Sequence, residues 1–379
     1  MGPEDRLRRA GGELSQWLVE AAYPLWASRG FDRVHGGFHE SLDGDGQPVY
    51  EPRRLRVQVR QVYSFARAPE MGWDGDAAAL VTAGLAYVRA HYRRPDGLFR
   101  TLVAPDGASL DDRAVLYDQA FVLLALAASQ RVLGPQASLI EEATQLREFL
   151  YRFLKRPGQG FNSGLPDAVP LLSNPHMHLL EAALAWTRVS DDPHWRRLAD
   201  ELVEVALERL IDPDTGVLRE RFAGDWSPLE SKAGPPVEPG HLFEWAWLLL
   251  QWSEGAPGAV RSRAQRLIEI GEAHGVRGGI AVNSLSEDLA VSDPAARLWP
   301  QTERLKATVS LAKLAQQPRY WSAADSAVAA LSRFLVTPVP GLWHDWLTVD
   351  GYFTPERAPA SSFYHIVCAI GELVGACPA

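Results

Sequence analysis

The sequence predicts an all-α protein, an (α/α)6 barrel or toroid of about twelve helices with short β-hairpins over its mouth. Two observations predict this fold. Helical segments rich in Ala, Leu, Arg and Glu follow one another, without the strand and helix alternation of a parallel sheet. Glycine-rich segments of similar composition lie between alternate helices, with a period of about 60 residues, which indicates a repeat architecture.

The helices are predicted from their apolar periodicity and from residues typical of helix ends. The predicted ranges are 4–28, 56–69, 74–93, 112–132, 137–155, 173–190, 193–210, 239–253, 257–274, 300–315, 319–336 and 361–375.

Each glycine-rich segment contains one glycine that can be aligned with a glycine in the others. These six glycines are Gly37, Gly97, Gly160, Gly216, Gly279 and Gly341. Several segments alternate apolar and polar residues and end on Asp-Gly, which is typical of a hairpin turn. Neither end of the chain carries a distinct polar capping repeat, which favours a closed ring over an open solenoid. We expect one domain over residues 1–379, because no Pro, Gly and Ser-rich linker divides the chain.

The composition indicates which partners and which cellular compartment to expect. The formal net charge of −9 disfavours nucleic acid or an anionic membrane surface as a partner. No apolar run approaches the ~20 residues that a membrane span needs. The two cysteines, Cys368 and Cys377, form no disulfide framework or metal-binding spacing. We therefore expect a reduced, cytoplasmic protein, a monomer or homodimer, that acts on a small molecule.

Titratable residues recur 18–25 residues after each aligned glycine, in the predicted first turns of six helices. They are Arg60, Asp118, His178, His241, Glu303 and His365. Pro175, Pro239 and Pro300 are predicted as first helical residues. In a ring, equivalent positions meet at one mouth, so these side chains should share a cavity roofed by hairpin residues such as Trp343. The competing interpretation is that these turns are polar for capping and solubility.

Three histidines and one arginine suit proton transfer next to a carbonyl, with the charge held as an enediolate. Glu244 lies one turn from His241 and could orient it. Two other chemistries remain open at this stage. His176, His178 and Glu181 are ligand types for a metal, although no recognised metal motif is present. Asp118, Glu244 and Glu303 could supply the carboxylate pair of a glycosidase. Lys306 is interpreted as an ordinary surface residue.

Five motifs, in order along the chain, resemble those of the N-acylglucosamine 2-epimerase superfamily, closest to its mannose isomerase and sugar 2-epimerase branch. They span residues 56–63, 174–182, 238–245, 299–303 and 363–366. The resemblance implies an (α/α)6 barrel with metal-independent chemistry on an opened sugar, and no cofactor.

By similarity, His241 and His365 move protons at C1 and C2 of the sugar. His178, Arg60, Glu244, Glu303 and Trp299 would bind or polarise it, and His176, Asp118 and Trp343 are further candidates for substrate contact. The expected reaction is conversion of unphosphorylated D-mannose, or a lyxose-type sugar, to the ketose through a cis-enediolate. A 2-epimerase for N-acylglucosamine, mannose/glucose or cellobiose is the alternative, and an (α/α)6 glycoside hydrolase is a lesser one. The sequence does not reveal which histidine is the base.

Overall fold

The computed structural model describes residues 2–166, 170–229, 237–253 and 258–377. Among these residues there are thirteen α-helices, of which α2 is a single turn. Their bounds are α1 Pro3–Trp17, α2 Tyr23–Leu25, α3 Leu55–Arg67, α4 Ala77–Tyr92, α5 Leu116–Leu133, α6 Ala137–Phe153, α7 Ser173–Thr187, α8 Pro193–Val205, α9 Pro239–Trp252, α10 Gly258–Gly275, α11 Leu298–Ala315, α12 Pro318–Phe334 and α13 Ser361–Ala376.

Six helices form a closed inner ring. In order they are α3, α5, α7, α9, α11 and α13; each packs against the next, and α13 packs against α3. The outer helices α4, α6, α8, α10 and α12 each pack on the inner helix that precedes them, while α1 covers α13 and α12. The structure therefore confirms the (α/α)6 barrel. No helix among the described residues is both long and apolar enough to cross a membrane.

Short strands connect the repeats around one end of the ring. Their bounds are β1 Ser41–Leu42, β2 Arg53–Arg54, β3 Leu102–Val103, β4 Ser109–Asp111, β5 Ala114–Val115, β6 Gly164–Leu165, β7 Leu171–Leu172, β8 Arg221–Phe222, β9 Val276–Arg277, β10 Ile280–Ala281, β11 Ser284–Leu285, β12 Val291–Asp293, β13 Ala296–Arg297, β14 Trp346–Leu347 and β15 Ala358–Pro359. The strands before α3, α5, α7 and α11 each pair antiparallel with the next repeat, as β2–β3, β5–β6, β7–β8 and β13–β14. The last strand, β15, pairs with β1 and closes this circle.

The six aligned glycines share one backbone conformation. All have a positive φ, between 71° at Gly37 and 93° at Gly341. L-residues with a Cβ rarely adopt this region, whereas glycine enters it without steric cost. At Gly97 an added Cβ would also lie 2.2 Å from the ring of Phe149 on α6. The repeat seen in the sequence is therefore a repeat of one required turn.

A second recurring feature ties three of the inner helices, α3, α5 and α11, to their hairpins. Gln58 bonds through both amide atoms to the backbone of Phe38, at 2.7 Å each. Gln119 and Gln301 make the same pair of bonds twenty residues back along the chain. These paired bonds satisfy buried backbone groups that have no partner in a helix or strand pairing. They also fix the position of α3, α5 and α11 relative to their hairpins.

Some helix starts differ from the prediction. Pro239 is the first residue of α9, as predicted. Pro175 and Pro300 are third residues instead, because α7 begins at Ser173 and α11 at Leu298, directly after extended strand residues. A proline is tolerated there because the first four helical N–H groups have no intrahelical partner. The predicted helix 4–28 is α1 followed by π-helical turns on either side of α2.

Candidate active site

A cavity of about 230 Å³ lies where the N-terminal ends of the inner helices meet. Six of the ten predicted site residues line it. Among the described residues its walls are formed by Arg60, Tyr117, Asn174, His178, Glu238, His241, Glu244, Arg297, Trp299 and His365. The closed ring therefore brings together residues as far apart in the chain as Arg60 and His365.

His241, in the first turn of α9, is paired with a carboxylate that the sequence analysis did not find. Its Nδ1 lies 3.0 Å from Oε1 of Glu220, the residue just before β8. Burial of His241 acts to lower its pKa, but Glu220 and then Glu238 outweigh burial and raise the pKa of His241 to about 10. His241 is therefore an imidazolium at neutral pH. The amide nitrogen of Asn174 lies 3.1 Å from its Nε2, and turning this amide over places the Asn174 oxygen there, where it can accept from the imidazolium.

His365, on α13, has a carboxylate partner too, yet its pKa moves in the opposite direction. Its Nδ1 lies 2.8 Å from Oε1 of Glu303. Burial, followed by the positive charges of Arg60 and Lys306, holds the pKa of His365 well below its ordinary value. His365 is therefore neutral, with its proton on Nδ1 and a free lone pair on Nε2.

Trp299 lies between the two histidines. Its ring centroid is 5.1 Å from that of His241 and 6.0 Å from that of His365. Gly240 makes this position possible, because a Cβ added there would come within 2.4 Å of the indole. Trp299 therefore forms an apolar surface between one charged and one neutral imidazole.

Arg60, on α3, supplies a buried cation next to the cavity. Its Nη2 donates to the hydroxyl of Tyr117 at 2.5 Å, and its guanidinium lies 4.2 Å from the ring centroid of Phe121. Its Nε is buried with no partner among the described residues. A buried donor of this kind is costly unless a water or ligand oxygen reaches it.

His178 and Glu244 form another wall of the cavity. His178 donates its Nδ1 proton to Oε2 of Glu181 at 3.1 Å, and burial lowers the pKa of His178 to about 4. Burial, and then the charge of Glu303, raise the pKa of Glu244 well above its ordinary value. Oε1 of Glu244 has no hydrogen-bond partner among the described residues. The wall therefore offers an acceptor on His178 and, on Glu244, a carboxyl group whose raised pKa favours its protonated form.

Glu303 does not line the cavity; it lies in the layer behind the wall residues. It is fully buried and reaches the cavity only through His365. Its second oxygen, Oε2, lies 2.6 Å from Nζ of Lys306. Lys306 is fully buried as well, so the interpretation of this residue as an exposed helix residue was wrong.

Asp118, His176 and Trp343 lie outside the cavity. Asp118 is buried between the hydroxyl of Thr101 and Arg56. Its predicted equivalence to Arg60 was out of phase by three residues. Arg60 comes two residues after the hairpin-binding Gln58, and Phe121 comes two residues after the equivalent Gln119. Phe121, and not Asp118, is therefore the residue equivalent to Arg60.

His176 replaces the hairpin-binding glutamine in its repeat. Its Nε2 accepts from the N–H of Phe161 at 3.0 Å, and its Nδ1 donates to the carbonyl of Leu172 at 2.8 Å. Trp343 is buried in a cluster of three rings, with its centroid 4.8 Å from that of Trp26 and 5.5 Å from that of Phe363. The structure therefore removes Asp118, His176 and Trp343 from the set of proposed substrate contacts.

Several cavity or supporting residues were not predicted: Tyr117, Asn174, Glu220, Glu238, Arg297 and Lys306. Lys306 had a usable signal, because it lies one turn after Glu303 on a helix that is apolar on most sides. Glu220 had none, because the contact of its side chain with His241, 21 residues later in the chain, forms only in the folded protein.

Ligand-type atoms also cluster in the wall. Those of His178, Glu181 and Glu244 lie within 4.8 Å of one another, as do those of Glu244, Glu303 and His365. Both groups already have other partners. Glu303 is paired with the Lys306 ammonium, and His178 donates to Glu181. A divalent cation here would have to lie against a buried ammonium, which opposes binding. The residues present therefore fit a metal poorly.

The family model of N-acylglucosamine 2-epimerase (GlcNAc 2-epimerase) matches residues 36–369. The chain belongs to this family. Within it, the mannose-6-phosphate isomerase of Rhizobium meliloti (strain 1021) is 48% identical over 371 residues, 96% of each chain.

Solved structures of this family share the fold. A D-mannose isomerase superposes with a TM-score of 0.88 at 19% identity, over 95% of this chain and 97% of that one. The cellobiose 2-epimerase of Spirochaeta thermophila gives 0.86 at 24% identity, over 98% and 97%. The predicted family and fold are confirmed, and this member of the N-acylglucosamine 2-epimerase family is an enzyme, a sugar isomerase or epimerase.

Proposed function

We propose that the protein interconverts a free aldose and its ketose, D-mannose and D-fructose, and also accepts lyxose-type sugars. The observation that carries this proposal is the pair of histidines with opposite charge states around one cavity. Two titratable groups whose surroundings move their pKa values apart are suited to act as acid and base in the same reaction. We assign His365 as the base and His241 as the acid.

The proposed reaction begins on the opened sugar. Nε2 of His365 removes the proton from C2, and the C2–H electron pair forms the C1–C2 double bond. The charge that develops on O1 is stabilised by Arg60 and by the Nε2–H of His241. His365 then delivers its proton to C1, while the hydroxyl proton moves from O2 to O1 through His241 or the carboxyl group of Glu244. The product is the ketose, and both histidines regain their starting states.

The size and charge of the cavity support a free monosaccharide. Its volume of about 230 Å³ is below the ~300–1,000 Å³ typical of pockets for larger ligands. Of the two arginines in its wall, Arg297 is paired with Glu238 at 3.2 Å, and Arg60 donates to Tyr117 and keeps one unpaired donor, Nε. A sugar phosphate, with its three charged oxygens, would need several unpaired donors in its binding site. The name of the Rhizobium meliloti relative makes mannose 6-phosphate the second substrate to test.

Epimerisation at C2 is the second candidate reaction. It is favoured by one observation, that a charged histidine stands across Trp299 from the neutral one. If the enediolate received its proton at C2 from His241, the configuration at C2 would invert. The two reactions share every step up to the enediolate.

Incubation with candidate sugars in D2O, followed by NMR, separates these proposals. The panel is mannose, mannose 6-phosphate, lyxose, N-acetylmannosamine and cellobiose. Fructose labelled at C1 supports isomerisation, and glucose labelled at C2 supports epimerisation. Absence of exchange with every sugar contradicts the proposed function. Activity should also survive exhaustive chelation; its loss, restored by a divalent metal, would contradict the metal-independent mechanism. Release of reducing ends from oligosaccharides would instead support the hydrolase alternative.

A further inference from the structure

Lys306 is a buried cation that the proposed reaction does not use directly. It lies on α11, one turn after Glu303, and is fully buried behind the cavity wall. Its Nζ is 2.6 Å from Oε2 of Glu303 and 3.9 Å from the ring centroid of Trp247 on α9. Burial of an ammonium costs free energy, which the ion pair with Glu303 and the aromatic face of Trp247 offset in part. A buried lysine at this position therefore suggests a functional role.

Titratable groups from four inner helices face this ammonium. They are Glu181 on α7, Glu244 on α9, Glu303 on its own helix, and His365 and Cys368 on α13. The Lys306 ammonium thus lies among three buried carboxyl groups. Burial opposes its charge, but Glu303 and then Glu244 outweigh burial and raise the pKa of Lys306 above its ordinary value.

Glu303 connects Lys306 to the reacting centre. One oxygen, Oε2, faces Nζ of Lys306, and the other, Oε1, faces Nδ1 of His365 at 2.8 Å. An ionised carboxylate can only accept hydrogen bonds, so it requires the His365 proton to be on Nδ1. A protonated Glu303 could donate to Nδ1 instead, and the His365 proton would then be on Nε2.

We infer that Lys306 is a positioning residue for proton transfer: its ammonium keeps Glu303 an acceptor, and Glu303 thereby leaves Nε2 of His365 as the free base. This inference rests on the proposed function of His365. Lys306 makes its ion pair with Glu303, and it is absent from the cavity wall among the described residues.

The main test is Lys306→Met, which removes the charge and keeps most of the length of the side chain. Glu303 then lacks its counter-charge, so either Glu303 or His365 takes up a proton. In both cases Nε2 of His365 carries a proton and cannot receive one from C2. We expect kcat at pH 7 to fall by about 100-fold or more, the scale of general-base catalysis. Lys313→Met is the matched control, since it removes an exposed lysine two turns further along the same helix.

A second substitution separates charge from packing. In Lys306→Met combined with Glu303→Gln, the amide oxygen of the glutamine can still accept from Nδ1 of His365, and no unpaired charge is left behind. We expect the double variant to recover at least about tenfold of the activity lost in Lys306→Met, a coupling that independent packing defects do not produce. A double variant that is less active than both single variants would overturn the inference.

Nitrogen-15 NMR of the histidine rings measures which nitrogen of His365 carries the proton, and it needs no substrate. The His365 signals are assigned by their loss in His365→Asn. In the wild-type protein, His365 should be neutral with its proton on Nδ1, and in Lys306→Met its Nε2 should be protonated. A wild-type His365 protonated at Nε2 would overturn the inference even if Lys306→Met does not fold. An unchanged His365 in a folded Lys306→Met variant would do the same. If His365→Asn keeps full activity, the proposed function fails instead, and the NMR result still decides the role of Lys306.

Discussion

The two histidine and carboxylate pairs of the cavity have the same local chemistry and opposite charge states. His241 with Glu220 and His365 with Glu303 each place Nδ1 within 3.0 Å of a carboxylate oxygen. Each histidine is buried, and its carboxylate partner lies on a different element of the fold. The pKa of His241 is nevertheless raised to about 10, while that of His365 is well below its ordinary value.

The difference comes from the second neighbour of each pair. Glu238 adds a further negative charge near His241, whereas Arg60 and Lys306 add positive charges near His365. A carboxylate partner therefore does not decide whether a buried histidine is charged; the net charge around the pair does. This difference would allow one cavity to hold the proposed acid and the proposed base at the same pH.

The largest expected effect comes from removing the neutral member. His365→Asn should lower kcat by about 1,000-fold, because general-base catalysis contributes ~10²–10⁴. The asparagine can still donate to Glu303, so the free energy of unfolding should change little. Steady-state kinetics and urea unfolding measure the two quantities. A variant that is inactive because it unfolds would return His365 to a structural role.

The charged member is tested by removing its carboxylate. Glu220→Gln takes away the charge that raises the pKa of His241, so this pKa falls. The acid is active below its pKa, and the high-pH limb of kcat/KM should therefore move to lower pH by about one to three units. The exposed Glu13→Gln provides a control for removal of one negative charge. An unmoved limb would show that His241 is not the acid.

Moving Trp299 should disturb both pairs by a smaller amount. In Gly240→Ala the new methyl group meets the indole at 2.4 Å. We expect KM to rise and the free energy of unfolding to fall by about 1–3 kcal/mol, as for other overpacked sites. Gly258→Ala is the control, since no atom of the described residues lies within 4 Å of its added Cβ. Equal effects of the two substitutions would contradict the proposed contact.

The smallest effect on activity is expected at His176, a buried histidine with backbone partners only. Burial lowers the pKa of His176 to about 4, below its ordinary 6.5. Between these values the unfolded chain binds a proton that the folded protein does not, so the free energy of unfolding falls as pH decreases from about 6.5 to about 4.

His176→Gln should reduce this loss by about 2 kcal/mol between pH 7 and pH 5, with activity nearly unchanged. Glutamine already occupies the equivalent position in three other repeats. Urea unfolding at the two pH values provides the measurement. A pH dependence identical to that of the wild-type protein would contradict the lowered pKa.

Much of the fold could be predicted because its signals are local. The predicted inner helices differ from the observed ones by only a few residues at most ends, and the aligned glycines all take the same positive φ. The less accurate predictions came from contacts between repeats. Asp118 was assigned the wrong phase because the bond from Gln119 to its hairpin, which defines the phase, is visible only in the folded chain.

The sequence by itself determined the sixfold repeat, the family and most of the residues that line the cavity, because periodicity, turn glycines and motifs are written along the chain. Only the tertiary structure decided the partners and charge states of those residues. The side chain of Glu220, next to β8, reaches His241 on α9, and Lys306 affects His365 through Glu303 inside a closed ring. Such charges depend on distance and burial in three dimensions, which spacing along the sequence does not contain.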